Sequence, residues 1–303
     1  MSKRAGAEAA EVIGIEKKSL NVDVLNEQLE SVERSEATDI GLRVILDGRQ
    51  ACLSTSDLRK ESLEKMVKRS LAMAREAPVD KDIILARNDQ LVNTNELETL
   101  DLIDNEIMVE ADRLKQWATE AEVEARNVKG VTQVQGSSAS VGIINSHLAF
   151  SNGFSQGYSR SGANISCVSI SGQDDKMERD YAFETRVHLT DLPSPASIGV
   201  LSGERAVARF GSRKPPTGNY PIVYDERVAS SLVGHLISAI NGASIVRGSS
   251  WLLENLGEEI FSKNISIEEC PLKVRCSGSR PFDAEGLKTY SKNIIKNGIL
   301  ESW

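Results

Sequence analysis

Histidine, paired cysteine and aromatic residues are scarce in this sequence. Only His147, His188 and His235 occur in 303 residues, so a zinc site made within the chain would have to join distant segments. Cys52, Cys167, Cys270 and Cys276 show no CxxC spacing and read as free thiols of a reducing compartment. No apolar run approaches the roughly 20 residues of a membrane-spanning helix, and the opening MSKRAGAEAAEV lacks the apolar stretch of a secretory signal. Basic residues are outnumbered, 36 against 44 acidic, for a net charge of -8. That balance argues against a direct nucleic-acid surface, which needs clustered Lys and Arg. The expectation is a cytoplasmic protein with no membrane contact and a substantial core.

In chain order, Ala5 to Glu11 reads as the end of a helix. An antiparallel meander follows to Ser56, with Leu42, Val44 and Leu46 on one face and Asp47-Gly48 as a hairpin turn. Leu63, Met66, Val67, Leu71 and Ala74 mark an amphipathic helix over about 61–76, ended by Pro78. A polar loop comes next. Ile107, Ala111, Leu114, Ala118, Ala121, Ala125 and Val128 then predict a helix from Asn105 to about Lys129, stopped by Gly130. A second run of Gly- and Ser-rich strands extends to about His188, with turns at 151–153 and 171–175. Its edges offer backbone groups to an extended peptide. Pro193 and Pro195 introduce a helix through Ile198, Leu201 and Ala208, and residues 213–218 form the best linker.

The stretch from Tyr220 to Trp251 is the centre of the functional question. Pro221–Tyr224 reads as a short strand and Asp225 as a helix N-cap. Val228, Ser231, Leu232, His235, Leu236, Ala239 and Ile240 keep helical spacing up to Asn241-Gly242. A helix-borne zinc site needs two imidazoles about one turn apart and a carboxylate to activate water. His235 has Ala239 four residues on and no Glu or second His in the helix beyond Glu226, so this helix holds no such site. The nearby serines lack a Gly-x-Ser-x-Gly elbow, and GASIVRGSS is not a phosphate loop. Asp283-Ala284-Glu285 is a cation candidate whose plainer reading is a turn. WLLENLGEEIF reads as a short helix, SIEE as a strand, and the last residues as a hairpin on Lys296-Asn297-Gly298.

GLRVILDGRQACLSTSDL, the SNGF turn, MERDYAFETR, and above all YPIVYDERVASSLVGHLISAINGASIVRGSSWLLENLG with GSRPFDAEG and NGILESW resemble the TldD/PmbA family, and its PmbA (TldE) branch most. The resemblance implies a member of a group described as modulators of DNA gyrase and as peptide-degrading metalloproteases, in which TldD and TldE form a heterodimer. In that family the TldD subunit carries an HExxxH zinc helix completed by a Cys. The matching positions here are Val233, Gly234 and Ser238, so no metal ligand carries over. His235 corresponds to a histidine typical of the PmbA branch that is not a ligand, leaving His235 and Asn241 as structural or substrate-contact candidates. Family members also continue beyond the ESW position, so the resemblance implies that this sequence stops short of a full C-terminal region.

The combined expectation is an α+β protein. Residues 1–213 form an N-terminal domain of antiparallel sheet and packed helices, and residues 214–303 begin a second, mainly β, domain. Expected partners are a TldD-like subunit, which would hold the zinc, or a second copy of this chain, together with an extended peptide. No cofactor is expected in this chain itself. A non-proteolytic homodimeric peptide-binding scaffold is the alternative.

Overall fold

The computed structural model describes every residue except 94–99, so that part of the polar loop expected after Pro78 lies outside the described residues. It is an α+β fold, as the sequence predicts. Strands β1 (Ala9–Leu25), β2 (Gln28–Leu46) and β3 (Arg49–Thr55) form one antiparallel meander. Strands β4 (Val131–Phe150), β5 (Ser155–Ser171) and β6 (Glu178–Arg186) form another. The two join through β1 and β4 into one six-stranded sheet of order β3-β2-β1-β4-β5-β6. Every pairing in it is antiparallel.

Strand length explains why one face of this sheet carries two separate cores. A strand of 20 residues such as β4 spans roughly 60 Å, whereas a helix of 17 residues such as α2 (Ala111–Asn127) is about 25 Å long. One helix cannot cover the strand. On β1 the even positions share a face. Leu20, Val22 and Val24 pack under α2 and α3 (Pro195–Ala208), while Ala10 and Val12 pack under α1 (Lys60–Glu76). Between them, Gly14, Glu16 and Lys18 carry no apolar side chain, and the cores separate there.

The α2 stripe of Leu114, Ala118, Ala121 and Ala125 is fully buried, and its small side chains let α3 approach to backbone distance. A Cβ on Gly199 of α3 would lie 2.0 Å from the Ala121 carbonyl oxygen, so only glycine fits. Glu122, also fully buried, accepts the main-chain N–H groups of Asn26 (2.7 Å) and Glu27 (2.8 Å) and a bond from Arg126 (2.5 Å). Asn26 and Glu27 are the left-handed central residues of the β1–β2 turn. The helix thus clasps the hairpin tip, and no charge in the clasp is left unpaired.

The contacts divide the chain into two compact units, residues 1–212 with 273–289, and residues 213–272 with 290–303. The second unit contains α4 (Glu226–Ala239), α5 (Gly242–Val246) and a small sheet of β7 (Ile267–Glu269), β8 (Lys292–Lys296) and β9 (Ile299–Leu300). Asn297 and Gly298 form the expected left-handed hairpin turn.

Several local expectations are corrected. The N-terminal segment is a short 3-10 turn at Lys3–Ala5, and β1 begins at Ala9. Helix α2 starts at Ala111 and not at Asn105. Ile107 fits the spacing but is buried from a turn, in which the Asp104 carboxylate accepts the Glu106 N–H. Pro221–Tyr224 is not a strand: Ile222 and Val223 are 71% and 96% exposed, and among the described residues no neighbouring strand completes a ladder. WLLENLGEEIF is not a helix. Its later N–H groups are taken by the terminal hairpin, Gly257 to Leu300 and Ile260 to Gly298, which an α-helix would have used internally.

Candidate functional site

Helix α4 is built as its sequence suggests. The Asp225 side chain caps it by accepting the Arg227 N–H, and Asn241 caps α5 by accepting that of Ala243. Leu236, Ala239 and Ile240 pack on Leu252, Ile294, Ile295 and Leu300. The rest of the predicted inward stripe does not pack. Val228, Leu232 and His235 are exposed, because only the last turn of the helix meets a partner inside its unit. Val233, Gly234 and Ser238 are exposed as well, and the Ser238 hydroxyl is spent on the Gly234 carbonyl at 3.0 Å. Among the described residues, no three His, Cys, Asp or Glu side chains converge to hold a metal. The residues present on α4 therefore do not fit a zinc ion.

The sheet supplies the second candidate surface. The face opposite α1, α2 and α3 carries Ile13, Leu148, Phe150, Tyr158 and Arg160 at one end, set in register by β1, β4 and β5. Residues 273–289 lie across this end. Phe282 meets Phe154 and Tyr158 edge-on at 5.4 and 5.5 Å, and Arg160 donates to the Ser279 carbonyl. The cation candidate Asp283-Ala284-Glu285 sits in this segment as a turn: one Asp283 oxygen accepts the N–H groups of Glu285 and Leu287, both at 2.9 Å. Arg275 fixes the start of the segment. It bonds Asp101 at 2.5 Å, and His188 approaches the same carboxylate at 3.2 Å. The hydrogen bond from Arg275 holds the Asp101 carboxyl below its ordinary range.

The other end of the face is uncovered. Ser138, Ser140, Gly142, Gly162, Asn164 and Ser166 share it across β4 and β5, and Tyr181 and Phe183 stand beside them on the edge strand β6. The two rings stack at 6.0 Å and are 44% and 53% exposed. A hollow of about 440 Å³ lies here, bordered by Asp23, Glu30, Ser138, Ser166, Arg179 and Tyr181. Ser138 and Ser166 bond each other at 2.8 Å. Small polar groups, an aromatic wall and an adjacent sheet edge suit an extended peptide main chain better than a buried reactive group. The sequence reading named these strands but not Tyr181 and Phe183. Their signal is alternation, since Asp180 and Ala182 between them are buried.

Cys167 is no reactive thiol. Burial pushes it up to about 11, and it lies in the packed layer against α2.

Three family models match in sequence order: the PmbA/TldA metallopeptidase domain 1 over residues 10–74, the central domain over 104–210, and the C-terminal domain over 217–303. The metalloprotease PmbA of Escherichia coli O157:H7 is 31% identical over 98% of this chain. The chain belongs to the PmbA/TldD family. Its PmbA homologue in Haemophilus influenzae is 30% identical over the whole chain. The chain spans 66% of the length of each of these relatives. Among solved structures, a candidate modulator of DNA gyrase from Bacteroides thetaiotaomicron superposes with a TM-score of 0.92 at 25% identity, covering all of this chain and 69% of that one. TldE from Thermococcus kodakarensis gives 0.80 at 16% identity, covering all of this chain and 67% of that one, which speaks to the fold alone. The central-domain match ends at residue 210 and the C-terminal-domain match begins at 217.

Proposed function

We propose that this chain is the zinc-free, TldE-like subunit of a two-subunit peptide-degrading metalloprotease in the cytoplasm. A TldD-like partner supplies the metal and the base that activates water, and this chain binds and aligns the extended peptide. The observation that carries the reading is the composition of α4. It lies within the part matched by the metallopeptidase C-terminal domain, yet presents one imidazole, His235, with Val233, Gly234 and Ser238 around it. That set offers a single metal-binding group. What remains for this chain is recognition, and the uncovered serine-lined face beside β6 fits that task. Main-chain hydrogen bonds at a strand edge bind many sequences, as suits an enzyme acting on unfolded peptides.

Co-expression with a TldD-like subunit tests the reading. We expect a stable complex that cleaves unstructured peptides and stops when zinc is chelated, and no cleavage by this chain alone. In the complex, Tyr181→Ser with Phe183→Ser should raise KM several-fold with little change in kcat, as loss of uniform binding does. Zinc-dependent cleavage by this chain alone, or a homodimer that neither cleaves nor joins the partner, overturns the reading.

A further inference from the structure

Strand β3 is the other edge of the six-stranded sheet, and its turn fixes which of its residues face outward. Asp47 and Gly48 both lie in the left-handed region (φ 51° and 65°), so Leu46 and Arg49 close a two-residue hairpin with a hydrogen-bonded pair. Antiparallel ladders alternate. The pairs Ile45/Gln50, Arg43/Cys52 and Gly41/Ser54 are then the non-hydrogen-bonded ones. The N–H and C=O groups of Gln50, Cys52 and Ser54 consequently point away from β2, and among the described residues they meet no main-chain partner there.

The side chains of the same three residues lie on the sheet face opposite α1. Beside them is a cavity of about 370 Å³ lined by Glu11, Ile13, Arg43, Cys52, Leu148 and Phe150, with Ala284 also bordering it. Gly41 keeps its floor open; a Cβ there would come within 2.9 Å of Ile13 Cγ2. The cation on its wall, Arg43, is partly buried, is ion-paired with Glu11 and donates to Gln50 at 3.2 Å. A charged guest would lose its water there and find no free counter-ion, whereas an apolar side chain would gain contact with Ile13, Leu148 and Phe150.

We propose that the β3 edge is a docking site for an extended peptide, which adds to the sheet as a further strand and lowers one uncharged side chain of Leu, Met or Phe size into this cavity. The peptide residue opposite Cys52 forms a hydrogen-bonded pair with it and points to the same face. Its immediate neighbours point to the α1 side. Selectivity therefore falls chiefly on the peptide position opposite Cys52. The proposal rests on the peptide-handling role above but needs neither cleavage nor a partner subunit.

The test uses this chain alone and a fluorescein-labelled Ser/Gly heptapeptide with Leu at its centre, read by fluorescence anisotropy. We expect the Leu peptide to bind at least about tenfold more tightly than the same peptide with Asp or Gly there, the minimum expected from burying one such side chain. N-methylation of the central Leu should abolish binding by removing a ladder donor. Cys52→Trp, which fills the cavity from its rim, should weaken binding tenfold or more. Ser54→Trp serves in its place if Cys52→Trp loses its circular dichroism signal. Equal affinity for Leu and Asp peptides, indifference to N-methylation, or self-association of the chain through β3 that excludes the peptide would each overturn the proposal. Absence of cleavage with a TldD-like partner would count against the proposed function and leave this binding result unaffected.

Discussion

Helices α2 and α4 have much the same sequence signature and opposite surroundings. Both keep apolar residues at three- and four-residue spacing, and their lengths are 17 and 14 residues. In α2 the whole stripe from Leu114 to Ala125 is sealed between sheet and α3. In α4 Val228, Leu232, Val233 and Ile237 remain 42% to 53% exposed, and only Leu236 and Ala239 are buried. Periodicity therefore reports what a helix is able to bury, while burial itself depends on what the rest of the unit brings to it. In α2 small residues set the helix spacing, so each position is constrained. In α4 most positions are free to vary within this unit.

Paired substitutions can break or sharpen this contrast. The largest effect belongs to Gly199→Ala, which drives a methyl into the Ala121 carbonyl; neither backbone can yield, and we expect a loss of about 3 kcal/mol or more by urea denaturation. Gly234→Ala on α4 meets nothing within 4 Å. It should stabilise that helix by up to about 1 kcal/mol through helix propensity. An equal and large loss at both sites would show that α4 is packed as tightly as α2. Next comes Glu122→Ala, which removes the acceptor of two main-chain donors and one of the two carboxylate partners of Arg126, and should cost about 2–3 kcal/mol. Its counterpart Asp225→Ala removes an exposed cap and should cost about 1 kcal/mol. Circular dichroism melts distinguish the two.

The smallest effect is a pH dependence confined to residues 273–289. Asp101 has its pKa lowered by the hydrogen bond from Arg275. Its contribution is therefore present above the unfolded carboxylate pKa of about 4 and is lost as pH falls through the lower folded value. Amide-exchange protection in residues 273–289, measured against the unfolded chain at the same pH, should fall below about pH 4, and Arg275→Ala should remove that dependence. Protection that falls equally in the variant would assign the acid response to other groups.

Most of the first unit was legible because its signals are local. Alternation gave the strands, Asp47-Gly48 gave the turn, and the Ala-rich spacing gave α2. The sequence could not disclose that β1 and β4 pair, or that residues 273–289 return to the first unit, since neither contact has a local pattern. Its errors share a cause. Ile107, Pro221–Tyr224 and Trp251–Phe261 all have suitable composition, but their main-chain groups went to other partners or to none. On α4 only the residue types were readable. The uncovered sheet face and the cavity beside β3 arise from strand register, which spacing in one segment does not encode.

The seam between β1 and β4 also sets the order of events when the chain folds. Within each meander, successive strands are joined by short loops, and hairpins of that kind close in about 1–10 μs. The seam joins residues 11–24 to residues 137–150, so more than one hundred residues must be looped before its first bond forms. Non-local pairings of this kind slow folding. Until the seam closes, two three-stranded sheets coexist with β1 and β4 as bare edges, the stage at which the nascent chain is most open to pairing with another copy.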